Sequence, residues 1–331
     1  MIDIARFKES IFRISSPDEF NGLALELFQY QVQQNPVYAD YARFIWRDPM
    51  KVSDIGKIPF LPIGFFKTQE IITGDVRPGK IFRSSGTSNM VPSLHYIHDP
   101  GLYEWSFLTT FRQFYGDPAK YRFFGLLPSY LERKGSSLVY MVDTLINQGG
   151  HTESGFHLHD HNLLAERLDL MNSTGMPAIL LGVSFALLDF SEEYPIPMKE
   201  NIIIMETGGM KGRREEITRE ELHRTLCRRF QKNAIHSEYG MTELLSQAYS
   251  REGGRFYTPP WMKIMIRDIQ DPFSLLPPGR SGAINIIDLA NIHSCAFIET
   301  QDIGRLHDDG SFEVLGRTDT SDVRGCSLLI S

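Results

Sequence analysis

The stretch Phe82-Arg83-Ser84-Ser85-Gly86-Thr87-Ser88-Asn89 places hydroxyl groups around a glycine, directly after an apolar, strand-like segment. Gly86 lets the backbone approach a ligand closely and adopt a positive φ. Successive backbone N–H groups in such a loop can form an anion-binding nest, and the hydroxyls add further donors. This composition predicts a loop that wraps around phosphate oxygens, although the same residues are also typical of an ordinary turn.

The overall composition is that of an ordinary globular protein. The chain has 331 residues, of which 42% are hydrophobic and 23% charged, and its formal net charge is −7. A chain of this length is expected to form about two domains, or one large domain with an appendage. No long basic run is present, so nucleic acid is not an expected partner.

The cysteines and the N-terminal residues indicate the cellular compartment of the protein. Cys227, Cys295 and Cys326 form no disulfide framework, so we expect reduced thiols. Residues 1–9 are too charged for a signal peptide, and no apolar run approaches the ~20 residues that a membrane span needs. The sequence therefore predicts a cytoplasmic protein without a membrane span.

Helical and extended patterns alternate along the chain. Apolar residues recur at helical spacing in residues 1–50, and two prolines interrupt the apolar run 58–67, which predicts an extended segment there. Asp99 followed by Pro100 is typical of a helix start. Further strands are expected at 121–127, 137–142, 178–182 and 201–205, and further helices at 162–171 and 215–232.

This alternation predicts an α/β architecture. We expect a helical N-terminal extension over residues 1–75 that packs on the core. The α/β core would then occupy residues 76–331, with a short C-terminal tail, and its pattern turns toward β-strands from Gly282 onward.

A second notable run is His236-Ser237-Glu238-Tyr239-Gly240-Met241-Thr242-Glu243, which reads as the turn at the end of a strand. Glu243 could hold a hard Mg2+ ion through oxygen, and Thr242 could donate to a phosphate oxygen. Tyr239 could lie flat on an aromatic ligand such as adenine. The alternative is the start of a helix, with Glu243 stabilising its first turn.

Two more polar runs follow. The first is Glu299-Thr300-Gln301-Asp302-Ile303-Gly304-Arg305. An acidic residue such as Asp302, on a loop after a strand, could accept hydrogen bonds from two vicinal hydroxyls with its two oxygens. A plain hairpin turn served by Asp302 and Gly304 is the alternative. The run Gly316-Arg317-Thr318-Asp319 also reads as a simple polar loop.

In this order and rough spacing, the four runs resemble the motifs of adenylate-forming enzymes. That superfamily comprises acyl-CoA synthetases, luciferase-like ligases and peptide-synthetase adenylation domains. The chain more closely resembles one branch over nearly its full length, the acyl-protein synthetase (LuxE-like) family of bacterial luminescence operons. The further segments that carry this resemblance are 23–31 with Asn35 and Tyr38, 58–63 with 65–67, and 206–212.

The resemblance implies a fold, cofactors and site residues. The fold would be the large α/β domain of adenylate-forming enzymes, with the helical N-terminal extension and without the usual small C-terminal domain. ATP and Mg2+ would be the cofactors, and a carboxylic acid, in particular a fatty acid, the substrate. ATP would be bound by Ser84, Ser85, Gly86, Thr87, Ser88, Gly208, Gly209, Tyr239, Gly240 and Asp302. Catalytic roles would fall to Thr242, Glu243, Arg317 and Cys326, with Glu243 also the metal ligand.

The chain departs from the superfamily pattern at two places. Pro92-Ser93 stands where proline and lysine would be expected, so the lysine that often closes the phosphate loop is absent. The chain also ends at Ser331, without the small domain whose lysine normally enters the site. Lys211, Arg213 and His95 are the candidates for replacing the lost positive charge.

Members of the acyl-protein synthetase family are acylated on a cysteine near the C-terminus. Cys326 lies near the end of this chain, between Gly325 and Ser327, and the neighbouring Arg324 would favour its thiolate. The resemblance therefore implies self-acylation at Cys326 and delivery of the acyl group to a reductase or acceptor protein. A small apolar residue at the end of the chain is the alternative.

Other functions remain open on the sequence alone. The protein could load coenzyme A or a carrier protein instead of itself. It could also be a non-catalytic nucleotide- or acyl-binding subunit of a reductase complex. The alternate histidines His157, His159 and His161 resemble a metal cluster, but no distant fourth ligand is evident for zinc.

Overall fold

The computed structural model describes residues 2–85, 91–127, 135–209, 214–215 and 217–318. Its helices are α1 (Ile4–Ile11), α2 (Pro17–Gln34), α3 (Pro36–Ile45), α4 (Phe65–Thr68), α5 (Pro100–Tyr115), α6 (Ser137–Gly149), α7 (His161–Thr174), α8 (Ser184–Glu193) and α9 (Arg219–Phe230). None of these helices is both long and apolar enough to cross a membrane.

The strands form two sheets and one antiparallel pair. They are β1 (Leu61–Pro62), β2 (Lys80–Arg83), β3 (Leu94–Ile97), β4 (Arg122–Leu126), β5 (Gly155–Phe156), β6 (Ala178–Val183), β7 (Ile202–Thr207), β8 (His236–Tyr239), β9 (Ala248–Ser250), β10 (Met262–Arg267), β11 (Ser281–Asp288), β12 (Phe297–Leu306) and β13 (Phe312–Arg317). We call the sheet of order β5-β4-β6-β7-β8-β9 the central sheet, and the sheet β1-β12-β11-β10, with β13 beside β12, the second sheet. The α/β fold class is confirmed.

The central sheet is parallel except for its edge strand β9. Every residue of β6 is buried, which is typical of a parallel strand covered by helices on both faces. The parallel strands β6, β7 and β8 all end at the same edge of the sheet, called here the carboxyl edge. Ligands of open parallel sheets bind outside this edge, so a binding site is expected there.

The N-terminal residues fold as the predicted helices. Ser16 caps α2 and Asn35 caps α3, and in each case a proline follows at the first helical position. The buried side chains of these helices belong to the same hydrophobic core as those of both sheets. The extended segment 58–67 is confirmed in part: β1 is an edge strand parallel to β12, but Phe65–Thr68 forms the short helix α4.

Most other helix and strand predictions are confirmed, and one is wrong. Asp99 caps α5 by accepting from the backbone N–H of Leu102. The apolar residues 137–142, predicted as a buried strand, instead begin helix α6, which Ser136 caps by accepting from the N–H of Val139. A short apolar run fits a buried helix as well as a buried strand, and the capping serine decides for the helix.

Candidate functional site

Two motifs meet at the carboxyl edge of the central sheet. Strand β7 leads into Gly208 and strand β8 into Gly240, and the register pairs Thr207 with Glu238. Gly208 has φ +71°, which favours glycine, and its carbonyl accepts from the Ser184 hydroxyl at 3.1 Å. The structure thus brings the predicted adenine-side segments, Gly208-Gly209 and Tyr239-Gly240, onto neighbouring strands.

Gly240 and the Glu238 carboxyl group approach each other closely. A Cβ atom at position 240 would lie 2.6 Å from the Glu238 carboxyl oxygen Oε1, so another residue there would require the Glu238 side chain to shift. The Glu238 side chain therefore folds back over the turn that follows β8. Thr207 donates a hydrogen bond to the other oxygen of the same carboxyl group.

Burial raises the pKa of Glu238 to about 7, because Thr207 only partly compensates the carboxylate for lost water. A raised pKa in the fold gives stability that is fully present below the unfolded pKa and lost as the pH rises through 7. We expect Glu238→Gln to gain stability relative to the wild type as the pH rises from about 5 to 8, by on the order of 2 kcal/mol. Chemical denaturation at several pH values measures this difference.

The same substitution at Glu26, an exposed position on α2, is the control for the chemical change itself. A difference between wild type and Glu238→Gln that stays constant over this pH range would contradict the assignment of a neutral, buried carboxyl group.

Asp302 joins Tyr239 to Arg317. The Tyr239 hydroxyl donates to Asp302 Oδ2 at 2.8 Å, and Arg317 Nε lies 3.3 Å from Asp302 Oδ1. Strand pairing sets Asp302 opposite Arg317. Burial raises the pKa of Asp302, and the Arg317 charge and the Tyr239 hydrogen bond act against that rise. The three predicted residues therefore form one polar cluster.

The prediction that Asp302 lies on a loop is wrong, because Asp302 lies inside strand β12. Gly304, which suggested a turn, serves close strand packing: a Cβ there would lie 2.5 Å from the Glu313 carbonyl oxygen. The glycine also adjoins an irregularity in the pairing of β12 with β13. A glycine within a strand can thus mark close backbone approach as readily as a turn.

Residues 240–247, all within the described part of the chain, form a turn and no helix, so the alternative of a helix start at Glu243 is wrong. Two buried side chains hold consecutive carbonyl groups of this turn. His95 Nδ1 donates to the Thr242 carbonyl at 2.8 Å, and Asn291 Nδ2 donates to the Glu243 carbonyl at 2.9 Å. Burial lowers the pKa of His95 to about 4, so the ring is neutral near neutral pH.

Glu243 is buried, with 4% of its surface exposed. Burial raises the pKa of its carboxyl group, the Ser93 side chain lowers it, and the charges of Arg317 and Asp302 act in opposite directions. The charged residues of the Asp302 cluster thus act on the Glu243 carboxyl group. A single carboxylate of this kind suits Mg2+, which is usually bound by one or two carboxylates together with substrate phosphates.

The described residues contain no group of three or more histidine, cysteine or acidic side chains placed to hold a metal ion. The alternate histidines take separate places: burial lowers the pKa of His157 to about 4, and His161 Nδ1 contacts Glu193 at 2.7 Å. Within the described chain, a bound metal would therefore need oxygen atoms from a substrate as well as from Glu243.

The base of the predicted phosphate loop is well defined. The N–H of Ser84 donates to the Ser93 carbonyl at 3.1 Å, and the N–H of Ser93 donates to the Ser84 hydroxyl at 2.8 Å. These bonds extend the pairing of β2 with β3, and Ser85 beyond them is exposed. The predicted residues Gly86, Thr87, Ser88, Lys211, Arg213 and Cys326 lie outside the described residues.

One residue that organises the turn was missed from the sequence. Asp288, fully buried at the end of β11, accepts from the backbone N–H groups of Leu245, Ser246 and Ala290 at 2.8, 3.0 and 3.2 Å. It also accepts from the Ser246 hydroxyl at 2.6 Å. The sequence does carry a signal for this role. An acidic residue at the end of an apolar strand is buried with the strand, so its carboxylate must accept from buried donors.

Arg219, the first residue of α9, links the two sheets behind the site. Its Nε lies 3.0 Å from the Glu206 carboxylate on β7, and its Nη1 donates to the Val314 carbonyl on β13 at 2.9 Å. Its charge also acts on Asp302 and Tyr239. Arg219 therefore ties β7, the neighbour of the strand that carries Tyr239, to β13, which carries Arg317.

Solved structures share this fold at low sequence identity. MatB from Rhodopseudomonas palustris, with ATP bound, is 19% identical with a TM-score of 0.53, over 72% of this chain and 47% of that chain. O-succinylbenzoate coenzyme A synthetase (MenE) from Bacillus subtilis, in complex with AMP, is 19% identical with a TM-score of 0.50, over 72% and 49%. 2-Hydroxyisobutyryl-CoA ligase, in complex with 2-HIB-AMP and CoA, is 11% identical with a TM-score of 0.66, over 92% and 76%.

The fold of this chain is therefore that of the large domain of adenylate-forming enzymes. The chain spans about half the length of the MatB and MenE structures that it matches. No protein-family model matches it, and a comparison with curated proteins finds no match.

Proposed function

We propose that this protein activates a carboxylic acid with ATP. One observation carries the proposal: Tyr239, Asp302 and Arg317 form a hydrogen-bonded and ionic cluster, and Glu243 lies within reach of its charges. Residues from both sheets thus converge at the carboxyl edge, where an open parallel sheet binds ligands. The fold, shared with ATP- and AMP-bound structures, supports the same assignment.

The donor set suits a nucleotide. The turn glycines Gly208, Gly209 and Gly240 leave open backbone beside Tyr239, where a flat base could lie. Asp302 retains acceptor capacity beyond its bonds to Tyr239 and Arg317, because a carboxylate offers about four lone-pair sites. We assign the ribose hydroxyls to Asp302, and we place the phosphates near Thr242 and the loop that begins at Ser84.

In the proposed first step, a carboxylate oxygen of the acid attacks the α-phosphorus of ATP. A bond forms between the carboxylate oxygen and the α-phosphorus, the bond from the α-phosphorus to the oxygen that bridges it to the β-phosphorus breaks, and the products are acyl-adenylate and pyrophosphate. Thr242 and the N–H groups of the Ser84–Ser88 loop would bind phosphate oxygens as charge develops there. Glu243 would hold Mg2+, which when bound neutralises charge on the phosphates.

In the proposed second step, the acyl group passes to the thiolate of Cys326. A thioester forms as the acyl–phosphate bond breaks, and AMP leaves. This is the chemistry of an acyl-protein synthetase of the LuxE-like family, with a fatty acid as the substrate class. A reductase or other acceptor protein in the cytoplasm would then collect the acyl group.

Intact-mass spectrometry tests this assignment. After incubation with ATP, Mg2+ and a panel of carboxylic acids, we expect the wild type to gain the mass of one acyl group in place of a proton. Cys326→Ala should gain none, whereas Cys227→Ala, which removes a half-buried thiol on α9, should behave as the wild type. Acylation that survives Cys326→Ala would contradict the choice of acceptor.

The alternative acceptor is coenzyme A or a carrier protein. The solved structure of 2-hydroxyisobutyryl-CoA ligase, which contains CoA, favours this alternative. Acyl-CoA formed at equal rates by the wild type and Cys326→Ala would support it. Nucleotide binding without any turnover, even with a reductase present, would instead support a non-catalytic binding subunit.

A further inference from the structure

Strand β13 carries one more residue than the part of β12 that it pairs with. At one end of the pairing, Asp302 of β12 stands opposite Arg317. Two residues further along β12, Gly304 pairs with Val314, so Leu315 is left over as a β-bulge. Bulges of this kind change the direction of the side chains that follow them.

The bulge decides which residue faces Asp302. Without the extra residue, Gly316 would stand opposite Asp302, and glycine has no side chain that could reach the carboxylate. With the bulge, Arg317 stands there, and its Nε lies 3.3 Å from Asp302 Oδ1. The ion pair of the polar cluster therefore depends on this local change of register.

Arg219, the first residue of α9, holds β13 beside the bulge. Its Nη1 donates to the carbonyl of Val314, the residue just before Leu315, at 2.9 Å. Its Nε lies 3.0 Å from the carboxylate of Glu206 on β7, a side chain that is only 2% exposed. Because a guanidinium group is planar and presents its donors in a rigid fork, one side chain sets the distance between the two strands.

The same guanidinium group supports the other partner of Asp302. The Arg219 Cζ atom lies 4.9 Å from the centroid of the Phe256 ring, and that ring packs 5.9 Å from the ring of Tyr239. The Tyr239 hydroxyl donates to Asp302 Oδ2 at 2.8 Å. Both residues that bind the Asp302 carboxylate, Tyr239 and Arg317, are thus supported by Arg219.

We propose that Arg219 is a positioning residue that holds the β13 bulge and thereby orients Asp302 toward the ribose of a bound nucleotide. The inference rests on the proposed function, in which Asp302 binds the ribose hydroxyls. A carboxylate whose partners are fixed in advance loses less freedom when a ligand binds to it. Loss of this support should weaken binding of a nucleotide that has ribose hydroxyls more than binding of one that lacks them.

Nucleotide binding without turnover tests the inference. The full chain is titrated by calorimetry with AMP and with 2′,3′-dideoxy-AMP, which lacks both ribose hydroxyls. We expect the wild type to bind AMP at least about tenfold more tightly, as for hydrogen bonds to a charged group. Arg219→Lys keeps a positive charge beside Glu206 but loses the forked geometry. Its affinity for AMP should fall about fivefold, and its affinity for dideoxy-AMP less than about twofold.

Two further variants complete the test. Arg224→Lys makes the same change at an exposed position of α9, where Arg224 lies 3.7 Å from Glu220, and should leave both affinities unchanged. Glu206→Gln combined with Arg219→Met removes the ion pair without leaving an unpaired buried charge. This double variant should bind AMP within about twofold of its affinity for dideoxy-AMP.

The outcomes separate the inference from the proposed function. If Arg219→Lys and the double variant keep the preference of the wild type for AMP, the positioning inference is overturned and the proposed function stands. An equal loss of both affinities, as from a general loss of structure, would also overturn the inference. If the wild type itself binds the two nucleotides equally well, Asp302 does not bind the ribose and the inference fails, while acid activation stands. If the wild type binds no nucleotide at all, the proposed function fails and the inference fails with it.

Discussion

Replacing Glu243 by glutamine is expected to lower acid-dependent pyrophosphate exchange by about a hundredfold or more. Glutamine has the shape of glutamate, but it lacks the negative charge through which Glu243 would hold Mg2+. Exchange of labelled pyrophosphate into ATP, measured over a range of Mg2+ concentrations, gives the effect. The midpoint of thermal unfolding should not fall, because the buried carboxylate carries a desolvation cost that the amide avoids.

Glu313→Gln is the matched control. Glu313 lies on β13 and contacts His307 at 3.2 Å, so this change removes a carboxylate outside the proposed site. The control should keep the exchange rate of the wild type. A Glu243→Gln variant that retains a third or more of that rate would remove Glu243 from the proposed metal site.

The largest effect on stability is expected at Asp288. Alanine at this position leaves the N–H groups of Leu245, Ser246 and Ala290 and the Ser246 hydroxyl without their buried acceptor. Each unsatisfied buried donor costs about 1–3 kcal/mol, and partial relaxation leaves an expected total of about 4 kcal/mol. The difference in unfolding free energy between wild type and Asp288→Ala, from denaturant titration, checks this value.

The matched control is Asp309→Ala on an exposed turn. Asp309 accepts from the N–H and hydroxyl of Ser311 at 3.0 and 2.5 Å, but solvent can replace it there. Its loss should cost about 1 kcal/mol or less. If Asp288→Ala destabilises the protein no more than Asp309→Ala, the turn after β8 does not depend on this carboxylate.

The sequence predicted much of the fold because many of its signals are local. The Asp99-Pro100 start of α5 follows from capping and backbone chemistry within a few residues, and the structure confirms it. The apolar run at residues 137–142 was assigned to a strand on its apolar character alone, without weight given to Ser136, which caps the helix. Periodicity alone does not separate short buried strands from buried helix turns.

For the candidate site, too, the sequence predicted some residues and missed others. The sequence brought out Tyr239, Asp302 and Arg317, and the structure joins them through one carboxylate. It did not bring out Asp288 or Asn291, whose bonds to Leu245, Ser246 and the Glu243 carbonyl reach a turn more than 40 residues earlier in the chain. Such contacts depend on how the two sheets pack, which no local pattern encodes.

Acid-dependent exchange of labelled pyrophosphate into ATP tests the central claim most directly, because it reports formation of acyl-adenylate without requiring any acyl acceptor. Across a panel of short-chain, long-chain and aromatic acids, we predict exchange with at least one acid, dependent on Mg2+ and lost in Glu243→Gln. Binding of ATP without exchange for any acid, with or without a reductase present, would contradict the account.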